Sequence, residues 1–125
     1  MITGRSATPP GWPPEVLPPA APDWERSAIA WLFDQCPPDY RVYDVLRRWP
    51  VVLARFAATN LDGAITAAES GLQNTRAELR ERVPPEAVEA AVAAYEREAH
   101  RLRTARRAVD LVERALRGER WVPRL

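Results

Sequence analysis

The sequence has no lysine, one cysteine, one histidine and only five glycines in 125 residues. Each scarcity removes a class of function. A lone Cys36 cannot close an intrachain disulfide or build a multi-cysteine metal site. A lone His100, set among Glu96, Glu98 and arginines, lacks the companion ligands of a zinc centre and reads as a surface histidine. No apolar run approaches the ~18 residues of a membrane span. Glycine-rich phosphate loops, paired-histidine zinc motifs and serine elbows are missing too. Met1 to Thr8 is short and mixed, without the basic-then-apolar order of an export signal, so a cytoplasmic location is expected. These absences leave no catalytic residue, cofactor or metal ligand to nominate, and the expectation is a protein that is not an enzyme.

What is present is arginine, proline and a helical pattern. All 18 basic residues are arginine, and 13 residues are proline. GC-rich coding accounts for both, with escape from lysine-directed modification as the alternative. Net charge is +1. The basic residues concentrate at Arg97, Arg101, Arg103, Arg106 and Arg107. The chain's pI of about 8.0 falls short of the ~9 typical of a nucleic-acid-binding domain.

Composition divides the chain into an arm, residues 1–22, and a single helical domain, residues 23–125. Seven prolines lie within residues 9–22, so the arm is extended and polyproline-like. Trp12, Val16 and Leu17 interrupt it with bulk that a free linker would not carry, so it should lie against the domain. Asp23 then reads as the N-cap of a helix over Trp24–Gln35, with Trp24, Ala28, Trp31 and Leu32 on one face. Cys36-Pro37-Pro38-Asp39 stops that helix, and a short one over Tyr40–Arg48 follows. Pro50 bends the chain at Trp49.

Two long helices complete an all-α fold, one over about 50–82 and one over about 85–117, each near 48 Å at ~1.5 Å per residue. Leu61, Ile65, Ala68, Leu72, Thr75 and Leu79 repeat every three and four residues, which makes a coiled-coil seam. Val88, Val92, Tyr95, Ala99, Leu102, Ala105, Val109, Val112 and Leu116 make its counterpart. The tight Val83-Pro84-Pro85 link forces the helices antiparallel. Folding there sets Leu79 against Val88, Leu72 against Tyr95, Ile65 against Leu102 and Ala57 against Val109. Arg55, Asp62, Glu69 and Arg76 recur every seven residues beside the seam, the spacing of interhelical ion pairs that fix register. Trp49, Val52 and Phe56 lie opposite the seam, where the two short helices are expected to cover them.

Three features are candidates for function. Ala64, Ala67, Gly71 and Asn74 on one long helix, and Ala87, Ala91 and Ala94 on the other, make small-residue strips where a second copy could approach closely. Arg103, Arg107 and Arg114 share a face that could bind phosphate. The run from Ala67 through Gly71 to Leu79 echoes a helix-turn-helix, although Arg76 stands where that motif wants an apolar residue. Cys36, before two prolines at a helix end, reads as a buried, inert thiol.

In Trp24-Glu25-Arg26, Cys36-Pro37-Pro38-Asp39-Tyr40-Arg41 and Leu46-Arg47-Arg48-Trp49-Pro50 the chain resembles small helical proteins of high-GC actinobacteria, a likeness that runs from Trp12 onward. The resemblance implies no activity and no site residues. The resulting expectation is a helical module that binds another protein, possibly a second copy of itself. The alternative is nucleic-acid binding through the arginine face or a degenerate helix-turn-helix.

Overall fold

The computed structural model describes residues 8–124, and proline pairs set the course of its first stretch. Residues 8–22 hold no helix and follow the domain as an arm with a tight turn at each pair. Trp12, Val16 and Ala21 donate their amides to the carbonyls of Pro9, Pro13 and Pro18 at 3.1, 3.1 and 2.9 Å. The second proline of every pair therefore falls at the turn position that its fixed φ suits. Gly11 follows Pro10 at φ 91°, a left-handed value that favours glycine there. The arm is docked on its own domain. Val16 is 3% exposed and joins the core, the Trp12 indole donates to the Val16 carbonyl at 2.8 Å, and Leu17 donates to Ser27 Oγ at 3.0 Å.

Four α-helices follow: α1 over Trp24–Asp34, α2 over Asp44–Arg48, α3 over Pro50–Leu79 and α4 over Pro85–Leu116. Asp23 precedes α1 as expected, but it adopts a left-handed φ of 64° and its side chain makes no capping bond. Aspartate tolerates that conformation better than most residues. The helix expected over Tyr40–Arg48 is split. A 3-10 turn spans Pro38–Val42, then Tyr43 goes extended and its carbonyl receives the Leu46 amide at 3.1 Å, which starts α2 afresh. Proline opens both α3 and α4, where its missing N–H costs nothing. α3 ends three residues before the expected Arg82, because Arg82 and Val83 turn back onto the Leu79 carbonyl. Gly118, at φ 92°, closes α4, and Glu119 donates to Arg114 at 3.0 Å.

The hairpin register agrees with the heptad reading. Arg55 meets Glu113 at 3.2 Å, Asp62 meets Arg106 at 2.8 Å, Arg76 meets Glu89 at 2.9 Å, and Glu69 pairs with Arg103. Each pair straddles the Val83-Pro84-Pro85 turn almost symmetrically. Beside this ladder most of the seam is buried: Leu61, Ala68 and Thr75 of α3 and Val88, Val92, Ala99, Leu102, Val109 and Val112 of α4. Tyr95 departs from the reading, since 37% of it stays exposed at the seam's edge.

Burial deepens toward the base, the end away from the turn. There α1 and α2 pack on α3, and α1 also touches α4. The largest fully buried side chains are Leu32, Leu46, Leu53, Val109 and Val112, all from this end. Fully burying a residue of this kind stabilises by about 1.5–3 kcal/mol, so the base anchors the fold and the distal hairpin extends from it.

Candidate interaction surface

The N-terminal elements cover the stripe assigned to them only in part, with Tyr40 packed on Phe56 and Val52 partly buried. α1 offers Ala28, Trp31 and Leu32, and α3 receives them on the side that carries Leu53, Ala54, Ala57, Ala58 and Leu61. That side adjoins the seam, where one helix can contact α3 and α4 together. The opposite stripe stays half open: Trp49 is 60% exposed and Phe56 41%, with Val52 partly buried between them. α2 spends Leu46 on the core, which turns Val45 outward, and Val42 and Tyr43 before it are also exposed. Tyr40 links the two groups, its ring 6.1 Å from Tyr43 and 5.8 Å from Phe56, both edge to face. Val42, Tyr43, Val45, Trp49 and Phe56 are thus all exposed in one apolar corner of the chain's base, where Tyr40 joins Tyr43 to Phe56.

The charges of this corner are largely engaged. Arg41 bonds Asp34 at 3.0 Å, and both Arg41 and Arg47 stand over the Phe33 ring, 5.4 and 5.3 Å from its centroid. Arg48 and Asp44, one helical turn apart on the outer side of α2, lie 3.7 Å from each other with about 70% of each side chain in solvent. The ions therefore frame the apolar residues without covering them.

The candidates taken from the sequence fare differently. A Cβ on Gly71 would overlap the Tyr95 ring and stand 2.9 Å from its hydroxyl oxygen. The space beside Gly71 is therefore filled from within the hairpin. Around it, Ala64, Ala87 and Ala91 are partly buried, while Ala67, Asn74 and Ala94 are exposed small residues. Outside the base and its neighbouring arm and tail, Val83 and Tyr95 are the only exposed large apolar residues among those described, at 36% and 37%. The distal strips are thus solvated alanine faces with little apolar area.

The helix-turn-helix reading is overturned, because α3 runs unbroken from Pro50 to Leu79 through Gly71 and has no turn to present a recognition helix. The arginine face is also less available than its spacing implies. Arg103 is bonded to Glu69, and Arg107 leans on Thr104 Oγ1 at 3.4 Å. Arg114 lines a groove of about 630 Å³ near the chain's end, together with Trp12, Trp24, Pro18, Pro19 and Trp121. Asp110 bonds Arg106 at 2.6 Å, and no ion pair joins it to Arg107 or Arg114 among the described residues.

Cys36 is buried, and its Sγ lies 3.5 Å from the Leu32 carbonyl oxygen. Burial pushes the thiol up to about 11, against a smaller opposite pull from Arg41. So high a value leaves almost no thiolate near neutral pH, and thiolate is the reactive form. His100 is exposed on α4. No cluster of three or more potential metal ligands occurs among the described residues. No helix is long and apolar enough to cross a membrane.

Sequence reasoning missed Val42 and Val45 and placed Trp49 and Phe56 under cover. A signal was available: Val45 and Trp49 are one helical turn apart, yet Leu46, on another face, also has to be buried. A segment this short cannot hide two apolar faces.

Comparison of the chain with protein-family models, with curated proteins and with solved structures finds no match.

Proposed function

We propose that this protein is a non-enzymatic helical interaction module whose binding surface is the apolar corner at the base of the hairpin. One observation carries the reading: Val42, Tyr43, Val45, Trp49 and Phe56 remain exposed together on elements that a buried core holds in place. At about 150–250 Å² per aromatic side chain, the exposed parts of Tyr43, Trp49 and Phe56 alone come to roughly 300 Å². Apolar surface of that order matches the largest patch on a typical monomer, which is often the functional one. Tryptophan and tyrosine are also the residues that most often dominate binding energy.

The test is affinity capture by the whole chain from extract of its own host. Wild type and Ala67→Glu should retain the same protein partner, and Trp49→Ser/Val42→Ser should lose it. Capture indifferent to Trp49, or abolished only by Ala67→Glu, contradicts the assignment. Nucleic-acid binding is the lesser reading, since a phosphate would have to compete with Glu69 for Arg103. Duplex and single-stranded DNA should bind weakly. Submicromolar affinity that falls steeply with salt and is lost in Arg103→Ala/Arg107→Ala would reverse the order of the two readings.

A further inference from the structure

We infer that the groove between the arm and the end of α4 is a second binding site, and that it takes a proline-rich segment of another protein. Its volume of about 630 Å³ falls within the ~300–1,000 Å³ of ligand sites. Trp12 of the arm and Trp24 of α1 line it together with Leu111 and Leu116 of α4 and Trp121 of the tail. It shares no residue with the corner at the base, so it stands or falls independently of that surface.

Charge disfavours an ionic occupant. The lining holds two cations, Arg114 and Arg120, and two anions, Glu25 and Glu119. A nucleic acid or an acidic peptide would meet as many like charges as opposite ones. An uncharged ligand meets no such conflict.

Hydrogen bonding then favours a peptide backbone. The Trp12 indole is spent on the Val16 carbonyl at 2.8 Å, whereas those of Trp24 and Trp121 have no acceptor among the described residues. No buried side-chain nitrogen there lacks a partner, so the Trp24 N–H reaches solvent, and Trp121 is 41% exposed. Both donors call for carbonyl oxygens. A proline-rich strand offers them freely, because it makes no internal hydrogen bonds and its prolines bring no N–H of their own. Such strands dock in aromatic-lined grooves, and their preformed shape keeps the entropy cost low.

The molecule already makes this kind of contact. Pro13 of the arm is buried, the Trp12 and Trp24 rings lie 6.5 Å apart, and Pro18 and Pro19 form part of the groove wall. A docked segment continues the interface between arm and domain. The arm of a second copy is not the occupant. Val16 is 3% exposed in the core, so each arm is held on its own domain, and withdrawing it would remove one wall of the groove.

Titration of the full chain with an oligoproline peptide, read on the indole N–H resonances of its tryptophans, tests this. The expected result is a saturable shift of the Trp24 and Trp121 indoles, with Trp49 unmoved and an affinity that salt does not change. A glycine–serine peptide of equal length and an oligoglutamate should give no such shift. Trp121→Ser, in the tail beyond α4 and so dispensable to the helices, should weaken binding about tenfold. Trp49→Ser should leave it unchanged. Circular dichroism identifies any variant whose helix content has changed, and the wild-type shifts then carry the test. The proposal is overturned by the lack of a saturable shift at millimolar peptide, by an equal response to the glycine–serine peptide, or by tighter binding of oligoglutamate. Binding indifferent to Trp121 overturns it as well. Oligoproline shifts centred on Trp49 would sink the groove and leave the corner standing. Intact oligoproline binding beside capture that ignores Trp49 would do the reverse.

Discussion

Single residues in this chain separate according to whether a neighbour uses the space they leave. Gly63 and Gly71 both lie inside α3, where glycine costs about 0.8–1.0 kcal/mol relative to alanine. Nothing lies within 4 Å of a Cβ added at Gly63, whereas one added at Gly71 would displace Tyr95. Gly63→Ala should therefore stabilise the protein by about 1 kcal/mol in urea unfolding. Gly71→Ala should lose most of that gain, and recover it in a Tyr95→Ala background. Equal gains at both positions in the wild-type background would mean that Tyr95 does not occupy the glycine notch. Gly71 is a case where the sequence was ambiguous for a physical reason. A glycine on a helix invites a turn, a second backbone or a large side chain, and only the fold names the aromatic ring that arrives.

Among the elements, the long helices were the most legible and the short ones the least. α3 and α4 carry two coincident repeats, an apolar seam and the row Arg55, Asp62, Glu69, Arg76, and each member of that row finds a partner on α4. Periodicity sustained over 30 residues leaves one face to bury and one register to adopt. α2 has five residues and no such redundancy. Its orientation follows from where Leu46 docks, and with it goes the exposure of Val45 and Trp49.

The ladder's rungs differ in burial, and this yields a second expectation. Glu113 keeps only 10% of its side chain in solvent and is shared by Arg55 at 3.2 Å and Arg117 at 2.7 Å, whereas Glu69 is half exposed. Glu113→Ala should cost about 2 kcal/mol, within the range for hydrogen bonds to a charged group, although Arg55 and Arg117, each about half exposed, can turn to water. Glu69→Ala should cost less than about 1 kcal/mol. Equal costs in denaturant unfolding would show that the hairpin treats both as surface pairs. At the exposed rung, the hydrogen bond from Arg76 holds the Glu89 carboxyl below its usual range. Any stabilisation from that rung is therefore present at neutral pH and is lost as falling pH protonates Glu89.

For the molecule as a whole, the contrast between its ends is the main result. The distal hairpin buries its seam and presents alanine and paired charge, while the base holds the largest fully buried side chains and also the exposed corner. A rigid core beneath a surface of tryptophan, tyrosine, phenylalanine and valine suits recognition, because few side chains lose freedom when a partner arrives. The sequence pointed to association through the distal small residues, since helical spacing can identify a strip but not what already fills it. The proposed reading moves that role to the corner. The most direct measurement is residue-resolved: amide chemical shifts of the full chain followed as the captured partner is added. Shift changes should gather at Val42 through Phe56 and leave Ala67, Asn74 and Ala94 unmoved; changes that come first along the distal strip would contradict the account.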